Sequence, residues 1–351
     1  MTDNGRVHRK ILVLGCLVLG ACAPSHSQAA AILKPSSPAA ANAAAVFGPT
    51  DVASIVGSAI ALPPELPELA TTLPPDTQEM VIESDGVFRS ARVHTPEQPK
   101  YRDDAPLMPL VLALHGSDGS AADLEALTGY DELADREHFV VAYADGLLVQ
   151  GDGYASRSWN SGQCCEPATS SGVDDVAFLG DLIDRLIARY PVDPERVFVV
   201  GHSNGAIMAQ LLGCRMADRI AGVASVAGAL DDTQSCNPDR ALPFMEIHGT
   251  YDQNVAWDAG QSSVAAWRSF DRCSDQSTLS TDGSVTFTTW EQCRNNATVT
   301  FISIDGAEHP WPSRRTPTND ELDVSFALDA TEATWAFFSS VSPAQTASSR
   351  G

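Results

Sequence analysis

Lysine is nearly missing from this chain. Only Lys10, Lys34 and Lys100 occur in 351 residues, and lysine plus arginine number 22 against 45 aspartates and glutamates. The net charge of −23 excludes a surface that grips nucleic acid or anionic lipid headgroups, because both carry the same sign. Aromatics are also scarce, and up to residue 75 there is one, Phe47, so that stretch cannot build a core. No apolar run is long enough to span a bilayer; the best, Ile11–Cys22, is too short. Cysteine and histidine spacings match no zinc pattern, so neither a metal nor a cofactor is expected. There are no internal repeats.

What is present falls into four stretches. Arg6, Arg9 and Lys10 precede Ile11-Leu-Val-Leu-Gly-Cys-Leu-Val-Leu-Gly-Ala-Cys22, a positive region followed by a short apolar core, as in an export signal. The end of it, Leu19-Gly20-Ala21-Cys22, resembles a bacterial lipobox. That resemblance implies removal of residues 1–21 as a signal peptide and lipid on the Cys22 sulfur. Simple secretion, with cleavage after an Ala-rich stretch, is the alternative. Residues 22–75 are rich in Ala, Pro and Ser and read as a lipidated linker. Residues 76–341 are expected to fold, and 342–351 form a polar tail. The expectation is therefore an exported or cell-envelope monomer, touching a membrane only through its lipid.

Within 76–341, apolar β-branched runs alternate with helical patterns. Strands are expected near 79–83, 87–94, 109–114, 139–144, 196–200, 221–226, 243–248 and 298–304. Helices are expected near 121–135, 174–190, 204–215, 259–270 and 328–339. The clearest helix places Leu179, Leu182, Ile183, Leu186, Ile187 and Tyr190 on one face. Central strands are continuously apolar, as a sheet covered on both faces requires. The predicted architecture is α/β: a mostly parallel, eight-stranded sheet with helices on both faces.

One segment carries chemistry. Val197-Phe-Val-Val200 runs into Gly201-His-Ser-Asn-Gly205, and Ile207, Met208, Leu211 and Leu212 then repeat as a helix. Strand, Gly-x-Ser-x-Gly and helix in succession describe a nucleophile elbow, which lifts Ser203 to the edge of the sheet. A serine hydroxyl needs a base and an orienting acid. In hydrolases with this elbow they follow in the order acid, then histidine. Of eight histidines, only His248 and His309 lie beyond Ser203, and only His309 follows the loop aspartate Asp252. Ser203, Asp252 and His309 are thus the candidate triad, with Asp258 and Asp305 as rival acids. His248 reads as a hydrogen-bonded structural residue, and His202 as a residue lining the pocket or packing beside it. Two backbone N–H groups are needed for an oxyanion. Asn204, after the nucleophile, supplies one, and Ser117, after the strand ending in His115-Gly116, the other.

An exported chain meets oxidising conditions, so Cys164, Cys165, Cys214, Cys236, Cys273 and Cys293 are disulfide candidates. Cys214–Cys236 and Cys273–Cys293 are the preferred local loops. Cys164 and Cys165 are left to bridge each other or to exchange with the rest.

Leu114-His-Gly-Ser117, Trp159-Asn-Ser-Gly-Gln-Cys-Cys165, Val173-Asp-Asp-Val176, Gly201-His-Ser-Asn-Gly-Ala206, Ile247-His-Gly-Thr-Tyr-Asp252 and His309-Pro-Trp-Pro312 occur in order. As a set they resemble the poly(3-hydroxybutyrate) depolymerase and feruloyl esterase group of α/β-hydrolases. The resemblance implies an α/β-hydrolase fold and a serine carboxylic ester hydrolase. It carries Ser203, Asp252 and His309 over as the triad and Ser117 with Asn204 as the oxyanion hole. It also implies that Trp159 and Trp311, with His202, border the substrate, unless the tryptophans simply pack in the core. Two positions depart from the pattern: Ala144, where proline is usual, and Glu308, where glycine is common and a carboxylate could narrow the site. No separate surface-binding domain is visible, which favours feruloyl or acetyl esters of plant polysaccharide over solid polyester. Poly(3-hydroxybutyrate) or its oligomers remain the alternative substrate. A non-catalytic surface-binding lipoprotein is the alternative from another class, and a serine peptidase a weaker one.

Overall fold

The computed structural model describes residue 74 and residues 76–341, except 97–105, 152–153, 163, 232–235 and 314–326. The expected signal peptide, Cys22, the linker and the tail lie outside the described residues. Among the described residues no helix is long and apolar enough to cross a membrane.

The chain opens with an antiparallel hairpin, β1 (Thr77–Ser84) and β2 (Val87–His94). Its two-residue turn, Asp85-Gly86, has φ of 50° and 74°, the left-handed pair that matches strand twist and suits an Asp-Gly sequence. Then follow β3 (Met108–Leu114), α1 (Ala121–Thr128), α2 (Tyr130–Glu137) and β4 (Val140–Ala144). Next come a small hairpin of β5 (Leu147–Gly151) and β6 (Tyr154–Ser158), α3 (Ala168–Ser171), and α4 (Asp175–Arg189). The elbow unit is β7 (Val192–His202) with α5 (Asn204–Arg215), followed by β8 (Gly222–Val226), β9 (Phe244–Gly249) and α6 (Trp257–Phe270). A second hairpin, β10 (Thr278–Asp282) and β11 (Val285–Trp290), precedes β12 (Val299–Ile304) and α7 (Ala330–Ser340).

The main sheet has ten strands in the order β1-β2-β4-β3-β7-β8-β9-β12-β11-β10. The block from β4 to β12 is parallel throughout, and an antiparallel hairpin flanks each side. This is an α/β-hydrolase fold, with ten strands in place of the expected eight. The two extra strands are β10 and β11. Every residue of β10, Thr-Leu-Ser-Thr-Asp, is exposed, so no apolar alternation marks it in the sequence. The helix expected at 121–135 is two helices, because Gly129 turns left-handed at φ 66° and caps α1.

Alternate residues of β3 feed two cores. Leu110, Leu112 and Leu114 pack with Phe178, Leu182 and Leu186 of α4, Met208 and Leu212 of α5 and Trp267 of α6. Val111 and Ala113 pack with Leu124 of α1, Tyr130 and Leu133 of α2 and Trp335 and Phe338 of α7. Helices therefore cover both faces, and loops gather at the C-terminal edge of the parallel block.

Candidate active site

Ser203 stands between β7 and α5 at φ 55°, ψ −122°, a conformation that a side chain adopts only under constraint. The constraint is steric. A Cβ on Gly201 would lie 2.1 Å from the Gly205 carbonyl oxygen, and one on Gly205 would lie 2.3 Å from that of Leu114. Only glycine at both positions lets strand and helix meet at this angle.

His309, in the loop after β12, brings Nε2 to 2.9 Å from Ser203 Oγ, and its Nδ1 is 2.7 Å from Asp252 Oδ2. Asp252 sits in the turn after β9, buried, with Oδ1 accepting the N–H groups of Asn254 and Val255 at 2.8 and 2.9 Å. The rival acids are elsewhere: Asp258 is exposed on α6, and Asp305 accepts the Thr250 hydroxyl. His202 is half-buried and donates from Nε2 to the His309 carbonyl at 3.0 Å, which pins the loop carrying His309. Burial lowers His202 to about 4, so the ring is neutral at ordinary pH.

The Ser203 N–H is committed to Val226 O at 2.9 Å, so the first N–H open to a ligand is that of Asn204, in the opening turn of α5. In the loop after β3, the Asp118 and Gly119 N–H groups are committed to Arg157 O and Gly116 O, at 2.8 and 3.2 Å. Ser117 lines the same cleft as Ser203 and His309. His115 holds this loop in shape: Nδ1–H donates to Gly116 O at 2.7 Å, and Nε2 accepts the Gly146 N–H at 2.9 Å. Burial lowers its ring to about 4 and keeps it neutral, as that pairing requires.

The cleft has a volume of about 400 Å³. Leu124 and Leu127 of α1 form its apolar wall, a pair three residues apart directly after the loop that follows β3, and they belong to no motif in the sequence. Glu308 is exposed on the rim beside Gln253 and Asn254.

The two tryptophans correct an expectation. Trp159 is fully buried and absent from the cleft lining. Its N–H donates to Asn204 Oδ1 at 2.8 Å, its carbonyl accepts Asn204 Nδ2 at 3.2 Å, and its indole Nε1 donates to His115 O at 2.9 Å. It joins the turn that carries Asn204 to the loop after β3 from below, as a brace. Arg89 pairs with Asp175 at 2.7 Å beneath it, and Asp175 Oδ2 accepts the Asn160 N–H at 2.7 Å. Trp311 is likewise buried, packed edge-on against Tyr130 and His202, with Nε1 donating to Thr331 Oγ1 at 3.3 Å. The family resemblance implies a place for both at the substrate; in the fold both take the alternative and pack in the core.

The structure joins Cys164 to Cys165, Cys214 to Cys236 and Cys273 to Cys293. The vicinal pair lies beside the brace, with Cys164 Sγ 3.9 Å from Asn204 Nδ2.

A nucleophile, an imidazole and a carboxylate in line, next to unpaired backbone N–H groups, can carry out acyl transfer. Residues 103–260 match the Esterase PHB depolymerase family. Feruloyl esterase B of Piromyces equi is 28% identical over 220 residues, covering 57% of this chain and 39% of that protein. Poly(3-hydroxybutyrate) depolymerase of Ralstonia pickettii is 27% identical over 240 residues, covering 58% of this chain and 48% of its own length. The chain thus spans less than half the length of either relative. A ferulic acid esterase structure from Anaeromyces mucronatus superposes with a TM-score of 0.50 at 15% identity, covering 76% of this chain and 91% of that one. That likeness is one of fold.

Proposed function

We propose that this protein is a serine carboxylic ester hydrolase working through an acyl-enzyme. The observation that carries the proposal is the unbroken line from Ser203 Oγ through the His309 ring to Asp252, at 2.9 and 2.7 Å. In this reading His309 Nε2 takes the hydroxyl proton as Ser203 Oγ attacks the ester carbonyl carbon. The oxyanion forms against the N–H groups of Asn204 and Ser117. His309 then gives the proton to the departing alcohol, leaving an acyl group on Ser203. Water, deprotonated by the same ring, releases the acid and restores the hydroxyl. Asp252 fixes the His309 tautomer and stabilises the imidazolium that appears at each step.

The substrate we favour is a feruloyl or acetyl ester on plant polysaccharide. The apolar wall of Leu124 and Leu127 suits an aromatic or short acyl group. The acidic chain suits a neutral partner. The names of the relatives, feruloyl esterase among them, point the same way. Export is part of the same proposal, and Cys22 is its lipidation site.

An ester panel of methyl ferulate, acetylxylan and hydroxybutyrate oligomers tests both levels. Turnover of the first two is expected, falling about 10⁴-fold or more in Ser203→Ala. Clearing of polyester film without hydroxycinnamate turnover would reverse the substrate ranking. A folded wild-type protein that turns over no ester would instead favour the binding-lipoprotein reading.

A further inference from the structure

Behind Asp252 lies a second buried pair that the triad does not use. His248, at the end of β9, has a side chain with no exposure, and so does Glu246 two residues earlier. His248 Nδ1 is 2.9 Å from Glu246 Oε1, and Nε2 is 3.0 Å from the Val255 carbonyl oxygen. A carbonyl can only accept, so Nε2 bears a proton. That same Nε2 stands 3.5 Å from Asp252 Oδ2, the oxygen that receives His309 Nδ1–H. The ring thus lies between two carboxylates, and both of its nitrogens face acceptors.

We propose that His248 is a permanently charged imidazolium, neutralised by Glu246, that positions Asp252 and sets the charge felt by His309. This rests on the reading of His309 as the base of the reaction.

The surroundings of the pair fit the role. Glu246 Oε1 also accepts the Gly228 N–H at 3.2 Å, and Ser225 of β8 stands beside the same carboxyl; burial raises Glu246 above the usual carboxylate range, and His248, Ser225 and the Gly228 N–H pull the other way. On the α6 side, Gly260 leaves the ring its place: a Cβ there would lie 2.4 Å from His248 Nδ1. The Trp257 ring closes the remaining side at 6.0 Å, edge-on. Burial works against a charge on His248, but Glu246 beside Nδ1, the Val255 carbonyl and Asp252 outweigh it, and the ring is raised above the usual histidine range. The groups facing His309 itself are Asp252, Ser203, the His202 ring at 5.1 Å and its own neighbour Glu308. Of these and His248, only His248 would hold a positive charge throughout the working pH range.

A cation behind Asp252 has two effects. It attracts the carboxylate into one orientation, with Oδ2 toward His309. It also offsets part of the negative field that Asp252 places on the His309 ring. Without the cation that field is uncompensated, and the acid limb of the rate profile moves up.

The test combines two measurements. Ring-nitrogen NMR on the wild-type protein reads the charge directly, and His248 is expected to keep both N–H protons at pH 8. A neutral His248 ring at that pH overturns the proposal. In His248→Asn, and in Glu246→Gln, where the ring loses the carboxylate that holds its second proton and becomes neutral, the acid limb of kcat/KM is expected to move upward by about half to one pH unit, with kcat falling and KM little changed. A folded variant with an unmoved limb overturns the proposal, even if its rate falls, because a merely structural role would lower stability without moving the limb. If neither variant folds, the wild-type ring spectrum still decides. Failure of the underlying reading is separate: ester turnover surviving in Ser203→Ala would remove His309 as base, and with it this role of His248.

Discussion

Single side chains in this molecule are tuned chiefly by burial. His115 is neutral because it is buried with an acceptor at Nδ1 and a donor at Nε2, and desolvation likewise keeps the His202 ring neutral while Nε2 donates to the His309 carbonyl. Asp271, at the end of α6, is the opposite case: it is a carboxyl in a site that disfavours its charge. It has no exposure, Oδ1 accepts the Leu242 N–H at 3.0 Å, and Oδ2 has no partner. Burial pushes it up to about 7, against the pull of that N–H and of Arg294 and Arg240. The sign follows from linkage. The folded state holds the proton more tightly than the unfolded chain, so this group adds stability below the ordinary aspartate range and loses it as pH rises through 7. Asp271→Asn keeps an oxygen for the Leu242 N–H and removes the titration. Its melting temperature is expected to match the wild type near pH 4 and to exceed it by about 3 °C or more at pH 8. Thermal scans at both pH values check this, and an equal difference at the two would refute it.

At the scale of elements, the elbow and its brace form one unit. Asn204 is its hinge: the side chain holds both backbone groups of Trp159, while the backbone begins α5 beside Ser203. Asn204→Ala would leave the buried Trp159 N–H unpaired, at about 1–3 kcal/mol, while the Trp159 carbonyl keeps the Cys165 N–H at 3.3 Å. It would also free the loop that shapes the oxyanion site. A loss of about 10- to 100-fold in kcat is expected, together with a lower melting temperature. Trp159→Phe removes the indole bond to His115 O and part of the buried ring volume but keeps both Asn204 bonds, so it should cost about 1–3 kcal/mol and much less rate. Steady-state kinetics and melting curves on the two variants separate the roles. The elbow was legible in the sequence because glycine spacing, an apolar strand and a helical repeat converge on Ser203. Asp252 and His309 were legible from chain order and strand ends. The role of Trp159 was not, since a tryptophan next to a site motif looks the same whether it faces substrate or lies beneath it. Asp175 and Arg89 were invisible as partners, because a pairing between β2 and α4 leaves no local pattern.

Across the whole molecule, stability divides between a parallel block and its flanks. The strands from β4 to β12 bury their side chains between two helical layers, and their apolar runs made them readable in advance. The hairpin of β10 and β11 adds to this block from outside. All of β10 is exposed, and β11 buries only Val285 and Trp290. It is fastened by the pairing of β11 with β12 along Val285–Trp290 and by the Cys273–Cys293 bond, whose closed loop contains both strands. Arg268 of α6 also lies over the Trp290 ring at 4.3 Å. A loop of this length gains about 3 kcal/mol from its cross-link in the chain-entropy account. The proposed triad depends on other strands: Ser203 follows β7, Asp252 follows β9 and His309 follows β12, all within the parallel block. Replacing Cys273 and Cys293 together by serine should therefore loosen the hairpin first. Amide exchange in 278–290 is expected to rise well above that in β3 and β7, and the melting temperature to fall. Ester turnover at 25 °C should stay within about twofold of wild type, since no group that touches substrate in the proposed reaction moves. A loss of turnover as steep as the loss of hairpin protection would mean instead that β12, and with it His309, depends on the hairpin for its place.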